Sequence, residues 1–164
     1  MQKVIVIGCP GSGKSTFSGA LHRATGLPLV HLDRLFWNAD RTTVERTVFR
    51  ARLDEALQRE DWIIDGNYAS TMELRMEACD TVFFLDYPTE LCLEGIAARV
   101  GQPRSDLPWV EAGETDAEFV EFVHSYAVQN RPQVLALLER YAYKNIFIFT
   151  DRSQADAFLA GLQS

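Results

Sequence analysis

The chain has only three cysteines in 164 residues, Cys9, Cys79 and Cys92, at spacings that fit neither a metal-ligand set nor a disulfide framework. That points to a reduced, cytoplasmic setting. No apolar run approaches the roughly 18 residues of a membrane span, and the N-terminal run stops at glycine after a few residues. No membrane anchor or leader is expected, and little or no extension before the first strand. Basic residues are in the minority: 16 Lys and Arg against 23 Asp and Glu leave a net charge of −7, which argues against direct nucleic-acid binding. Internal repeats and low-complexity segments are missing. So is the Asn-Lys-x-Asp run that specifies guanine, so a GTPase switch is disfavoured. What remains is ordinary globular composition, 47% hydrophobic and 24% charged, enough for one domain over residues 1–164, as a monomer or a homodimer.

The stretch Gly8-Cys9-Pro10-Gly11-Ser12-Gly13-Lys14-Ser15-Thr16 fits G-x-x-x-x-G-K-[ST], the loop that cradles nucleotide phosphates. Its context fits too: Lys3 to Ile7 reads as a buried strand and residues 14–25 as a helix, closed by Gly26. A polyphosphate is densely negative. Inward-turned backbone N–H groups and a helix N-terminus complement it, and Gly8, Gly11 and Gly13 let the backbone bend and come close. Lys14 is placed to reach the β- and γ-phosphates and the Ser15 hydroxyl to ligate Mg²⁺. Pro10, Ser12 and Thr16 complete the nucleotide-binding set. Cys9 is either a small residue that fits the loop or a thiol activated by Lys14.

Residues 27–33 read as a second strand ending in Asp33, at the strand end where α/β sheets bind ligands. His31 reads as packed rather than catalytic, and Asp33 also suits a helix cap before Arg34. Thr42 and Glu45 suggest a capping box, and Val44, Val48, Ala51, Leu53, Ala56 and Leu57 an apolar stripe along a helix running to Arg59. Arg46, Arg50 and Arg52 on that helix read as a solvated face. Trp62-Ile63-Ile64 runs into Asp65-Gly66, the pattern of a strand-end acid that orders Mg²⁺, usually through water. A short helix over 71–77 carries Arg75. Residues 80–86 form a fourth strand, and a helix runs from Thr89 to about Val100, with Arg99 near its end. Residues 101–115 are irregular and punctuated by Gly101, Pro103, Pro108 and Gly113, with Arg104 as their one cation, which suggests a lid. A long helix over 116–141 follows, with Phe119, Phe122, Val123, Tyr126 and Ala127 on its buried side. Pro132 kinks it or begins a second segment, and Arg131 is placed to point into the cleft. Residues 144–150 form a fifth strand and 152–162 a closing helix. Five alternations of strand and helix mean a parallel sheet with helices on both faces.

With these motifs in place, the sequence resembles P-loop kinases of the adenylate-kinase-like group, and most closely the bacterial topology modulation, or FlaR-like, proteins. The likeness spans essentially the whole chain and is carried by Ile7 to Thr16, His31-Leu32-Asp33-Arg34-Leu35-Phe36-Trp37, Trp62 to Tyr68, Phe84-Leu85-Asp86 and Asn130-Arg131-Pro132. It implies a P-loop NTPase fold with a five-stranded sheet in the order 2-3-1-4-5, a short mobile lid, and ATP with Mg²⁺. Where adenylate kinases continue Asp-Gly with Phe-Pro-Arg, this chain has Asn67-Tyr68-Ala69, so their AMP-gripping arginine has no counterpart there.

These readings converge on ATP-dependent phosphoryl transfer to a small acceptor, a nucleotide or a small metabolite. Lys14 holds the phosphates and Ser15 and Asp65 organise Mg²⁺. Asp33 orients or deprotonates the acceptor, and Arg99, Arg104 or Arg131 neutralises the transferring group. Asp33, Trp37, Gly66, Asn67, Tyr68 and Arg75 form the expected acceptor side. The alternative is a nucleotide-binding regulatory protein with little turnover.

Overall fold

The computed structural model describes residues 1–99 and 117–163. The lid expected over 101–115, with Arg104, lies outside them. Five strands, β1 (Lys3–Gly8), β2 (Leu29–His31), β3 (Trp62–Asp65), β4 (Thr81–Leu85) and β5 (Asn145–Phe149), form one sheet in the order β2-β3-β1-β4-β5, every pairing parallel. Eight helices are described: α1 (Lys14–Thr25), α2 (Leu32–Phe36), α3 (Arg46–Leu57), α4 (Ala69–Ala78), α5 (Thr89–Arg99), α6 (Ala117–Gln129), α7 (Arg131–Arg140) and α8 (Arg152–Gln163). None of them is long and apolar enough to cross a membrane.

The central strands are apolar without a break because both their faces are covered. Alternation then sends neighbours to opposite sides. Val4, Val6, Ile63, Phe83 and Leu85 join Phe17 and Leu21 of α1 and Cys92 and Ile96 of α5 in one core. Ile5, Ile7, Trp62, Ile64, Val82 and Phe84 join Leu53 of α3, Met72 and Met76 of α4 and Leu138 of α7 in the other. All five strands point their C-terminal ends to one edge, where the P-loop emerges between β1 and α1.

Several expected boundaries shift. The second strand stops at His31 rather than Asp33, because Leu32 turns into the core, fully buried, and opens α2 with Asp33 in its first turn. The helix after it starts at Arg46, and no side chain caps it: Thr42 instead accepts from Asn38 and donates to Asp40, while Thr43 bridges to Trp37. Its buried stripe is Phe49, Leu53 and Ala56, with Val48 exposed. The long helix breaks at Asn130, and Pro132 sits in the first turn of α7, where a missing N–H costs nothing. On α6, Val123 and Tyr126 are buried as expected, whereas Phe122 and Ala127 are exposed.

Candidate active site

Gly11 and Gly13 have φ of +85° and +92°, left-handed values that favour glycine. A Cβ on Gly11 would lie 2.1 Å from the Cys92 carbonyl oxygen, and one on Gly95 would lie 2.1 Å from the Gly11 oxygen, so α5 packs its backbone directly on the loop. A Cβ on Gly13 would meet nothing within 4 Å; that side of the loop is open. Gly13 is also the N-cap of α1, whose first-turn amides face the loop. The Lys14 ammonium donates to the Gly8 and Cys9 carbonyls at 3.0 and 3.2 Å, and the buried Ser12 hydroxyl has no partner among the described residues. An open glycine cradle, a helix N-terminus, a lysine and an orphaned hydroxyl fit a polyphosphate.

One cavity of about 450 Å³ begins at this loop. Pro10, Gly11, Gly13, Lys14 and Ser15 line one end, and Asp33, Phe36, Trp37, Asp65, Gly66, Asn67, Tyr68 and Ala69 contribute from α2, β3 and the segments after them; Phe122 and Tyr126 of α6 and Asn130 at the break before α7 complete the lining. Most of the expected residues therefore meet in one place, although Asp33 arrives there on a helix rather than a strand end. Gly8 and Ser12 shape the loop from behind, and Thr16 is exposed in the first turn of α1.

Asp65 ends β3 almost fully buried. Its Oδ2 accepts from the Ser18 hydroxyl at 2.5 Å and pairs with His31 Nδ1 at 2.6 Å. His31 is packed, as expected, but it also fixes the carboxylate. No group of three acidic, His or Cys side chains among the described residues forms a metal cage. Mg²⁺ suits such a site, because it takes one or two protein oxygens, keeps waters and shares the substrate's phosphates. Ser15 and Asp65, which line the same cavity, are the residues that would hold it, Asp65 through water.

The β3–α4 turn carries the least expected feature. Arg75, expected on the acceptor side, is fully buried and is not among the described residues that line this cavity. Its guanidinium donates to the carbonyls of Gly66 (3.0 Å), Asn67 and Tyr68 (3.2 Å) and to the Thr71 hydroxyl (3.2 Å). Burial holds its pKa down to about 10. The sequence showed an arginine on a helix; it could not show three carbonyls converging on it. That clamp sets a turn in which Gly66 has φ +125° and Tyr68, unusually for a non-glycine, +38°. Tyr68 thereby delivers its phenol as a hydrogen-bond donor to Asp33 Oδ1. Asn67 lines the cavity, but its amide is also spent on the loop, donating to the Gly8 carbonyl at 2.6 Å and accepting from the Gly8 N–H at 3.2 Å.

One further expectation is corrected, and one of the two readings of Cys9 is set aside. Arg131 does not reach this cavity: its Nε and one terminal nitrogen each donate to Asp86 at 2.8 Å, in a neighbouring cavity lined also by Cys9 and Thr150. The Asp86 carboxylate raises the Arg131 pKa further. Nor is Cys9 an activated thiol. Its interaction with the Cys92 thiol and its burial push its pKa well above the ordinary range, and the Lys14 charge does not offset them. Arg99 closes α5, and its side chain, like Arg104, lies outside the described residues. Phe36, Phe122, Tyr126 and Asn130 were missing from the expected site, although Phe36 and Asn130 lie in segments that carry the family resemblance and aromatics cluster around Trp37 and on α6.

No family model matches the chain, and no curated protein matches it. Solved structures do. A shikimate kinase from Bacteroides thetaiotaomicron is 22% identical over 98% of this chain and 95% of its own, with a TM-score of 0.58. A shikimate kinase from Acinetobacter baumannii, solved in complex with shikimate, is 16% identical over 99% of this chain and 91% of its own, with a TM-score of 0.62. At these identities the likeness is one of fold alone: a five-stranded parallel sheet in the order 2-3-1-4-5 between helices.

Proposed function

We propose that this protein is an ATP-dependent kinase that phosphorylates a small hydroxyl-bearing acceptor. The observation that supports it is the single cavity in which the phosphate loop, Lys14 and Ser15 face Asp33 and Asp65. The loop and α1 would bind the ATP phosphates through backbone N–H groups, with Lys14 leaving the Gly8 and Cys9 carbonyls for the β- and γ-phosphates. Ser15 and Asp65 would hold Mg²⁺, which would supply charge neutralisation to the transferring phosphate. Ser18 and His31 keep Asp65 oriented for that task.

Asp33 would accept the acceptor's proton, with Tyr68 holding it in place. The shikimate kinases of the same fold are named for their hydroxyl acceptor, consistent with this reading. The narrower likeness to topology modulation proteins belongs to the proposal and rests on the segments around Asp33 and Asp65. Cytoplasmic residence belongs to it as well. Arg99, at the end of α5, or Arg104, in the expected lid, is proposed to neutralise the transferring phosphoryl group.

The test is ADP formation from Mg-ATP across a panel of hydroxyl compounds, with Lys14→Ala as control. Stimulation by one acceptor, lost in Lys14→Ala, supports the kinase. Tight ATP binding with no stimulation by any acceptor would favour a nucleotide-dependent regulator instead.

A further inference from the structure

We infer that Asn67 is a positioning residue for the phosphate loop: its amide holds the Gly8 carbonyl, so that Lys14 can leave that carbonyl for the phosphates of ATP. This rests on the nucleotide-binding half of the reading above and says what makes the release of Lys14 possible.

The sheet leaves a gap at Gly8 that a side chain fills. Alternate residues of a strand turn their backbone groups to the same neighbour. Val6 faces β3, where its carbonyl accepts from the Gly66 N–H at 3.1 Å, so Gly8, two residues on, faces β3 as well. But β3 ends at Asp65, and Gly66, at φ +125°, turns the chain away. Asn67 makes the missing rung with its side chain: Oδ1 accepts from the Gly8 N–H at 3.2 Å and Nδ2 donates to the Gly8 carbonyl at 2.6 Å. A primary amide can do this because it carries both an acceptor and donors, the groups that a further strand residue would have offered. The buried Arg75 guanidinium fixes the residue by donating to its main-chain carbonyl.

Lys14 donates to the same carbonyl at 3.0 Å and to that of Cys9 at 3.2 Å. Both residues are buried, and a buried carbonyl stripped of its donor is costly. Neither is stripped when the ammonium goes to a phosphate. Cys9 keeps the Ser12 N–H at 3.0 Å, a main-chain bond of the loop itself. Gly8 keeps the Asn67 amide. One of the two carbonyls is thus covered by the backbone and the other by a side chain. Without that side chain the Gly8 carbonyl would be left to the Lys14 ammonium, and it would compete with the nucleotide for it. The residue that follows the strand-end Asp65-Gly66 pair therefore serves the nucleotide side of the cavity, although the sequence places it among the acceptor residues.

The experiment measures Mg-ATP binding by calorimetry, without an acceptor, in wild type, Asn67→Ala, Lys14→Ala and the double variant. For a protein that binds too weakly to titrate, the rise in Tm at millimolar Mg-ATP reads the affinity instead. Asn67→Ala should bind Mg-ATP about 5- to 150-fold more weakly, the effect of one buried carbonyl losing its donor on binding. In the Lys14→Ala background no lysine has to leave, and the same substitution should change the affinity by about twofold or less. Asn67→Leu fills the volume of the amide without its hydrogen bonds; it should match Asn67→Ala, and it replaces that variant if alanine does not fold. Wild-type affinity in Asn67→Ala or Asn67→Leu would overturn the inference. So would an equal loss in the Lys14→Ala background, which would make Asn67 a support for the shape of the loop alone. Wild type that binds no Mg-ATP would overturn the nucleotide reading as well, whereas Mg-ATP binding without transfer to any acceptor would count against the kinase reading alone.

Discussion

Replacing Arg75 with methionine should cost the protein stability before it costs any contact with substrate. The guanidinium is fully buried and serves the carbonyls of Gly66, Asn67 and Tyr68. Each buried carbonyl left without a partner costs about 1–3 kcal/mol. Against this stands relief from burying the charge: a pKa held down from 12.5 to about 10 corresponds to about 3 kcal/mol. The Tyr68 carbonyl keeps the Thr71 N–H and hydroxyl as donors, so two carbonyls lose their partner and the balance is a loss of about 1 kcal/mol, or about 2–4 °C in Tm for a chain of this size. Arg75→Lys should recover little of it, because an ammonium cannot fan out to three carbonyls. Urea and thermal unfolding measure the loss. Unchanged unfolding midpoints with a raised KM for the acceptor would refute the clamp and restore Arg75 to the acceptor side.

Other substitutions have equally definite expected outcomes. Gly11→Ala and Gly13→Ala should separate sharply in thermal unfolding. The first drives a methyl to 2.1 Å from the Cys92 carbonyl oxygen, whereas the second enters open space and costs only the left-handed backbone, about 1–2 kcal/mol. Asp33→Asn should lower kcat by a factor of about 10²–10⁴ with the KM for ATP little changed, as steady-state kinetics with a saturating acceptor would show. Asp80 contributes to acid stability. Burial pushes its pKa up, but hydrogen bonds from the Thr81 hydroxyl and the Lys3 and Gln2 amides outweigh burial and hold it below 3.8. A carboxylate depressed in the folded state stabilises it above the unfolded pKa and loses that contribution as pH falls through the folded one. The Tm gap between wild type and Asp80→Asn should therefore be widest near neutrality and close as pH falls below about 4.

What was legible in the sequence was what local chemistry dictates. The P-loop, α1 from Lys14 to Thr25 with its closing Gly26, and the apolar central strands follow from spacing and glycine placement alone. Asp33, Trp37, Asp65 and Tyr68 reached the cavity as expected because each lies within a few residues of a strand end, where parallel sheets gather their functional groups. Tertiary structure overrode the rest. Val48 and Phe49 both fit a helical stripe, and the larger ring took the buried side. Arg75 and Arg131 looked like free cations because their partners, three carbonyls of a turn and an aspartate forty-five residues away, are assembled only by the fold. Phe122 read as core by periodicity and is instead part of the cavity wall.

The central claim is tested most directly by following the γ-phosphate itself. Labelled ATP with Mg²⁺ is incubated with wild type and with Lys14→Ala, and the label is separated into inorganic phosphate and organic product in the presence of each acceptor. The account predicts label on the oxygen of a hydroxyl acceptor with wild type alone, with little release as inorganic phosphate. Label that appears only as inorganic phosphate, or transfer that survives Lys14→Ala, would contradict it.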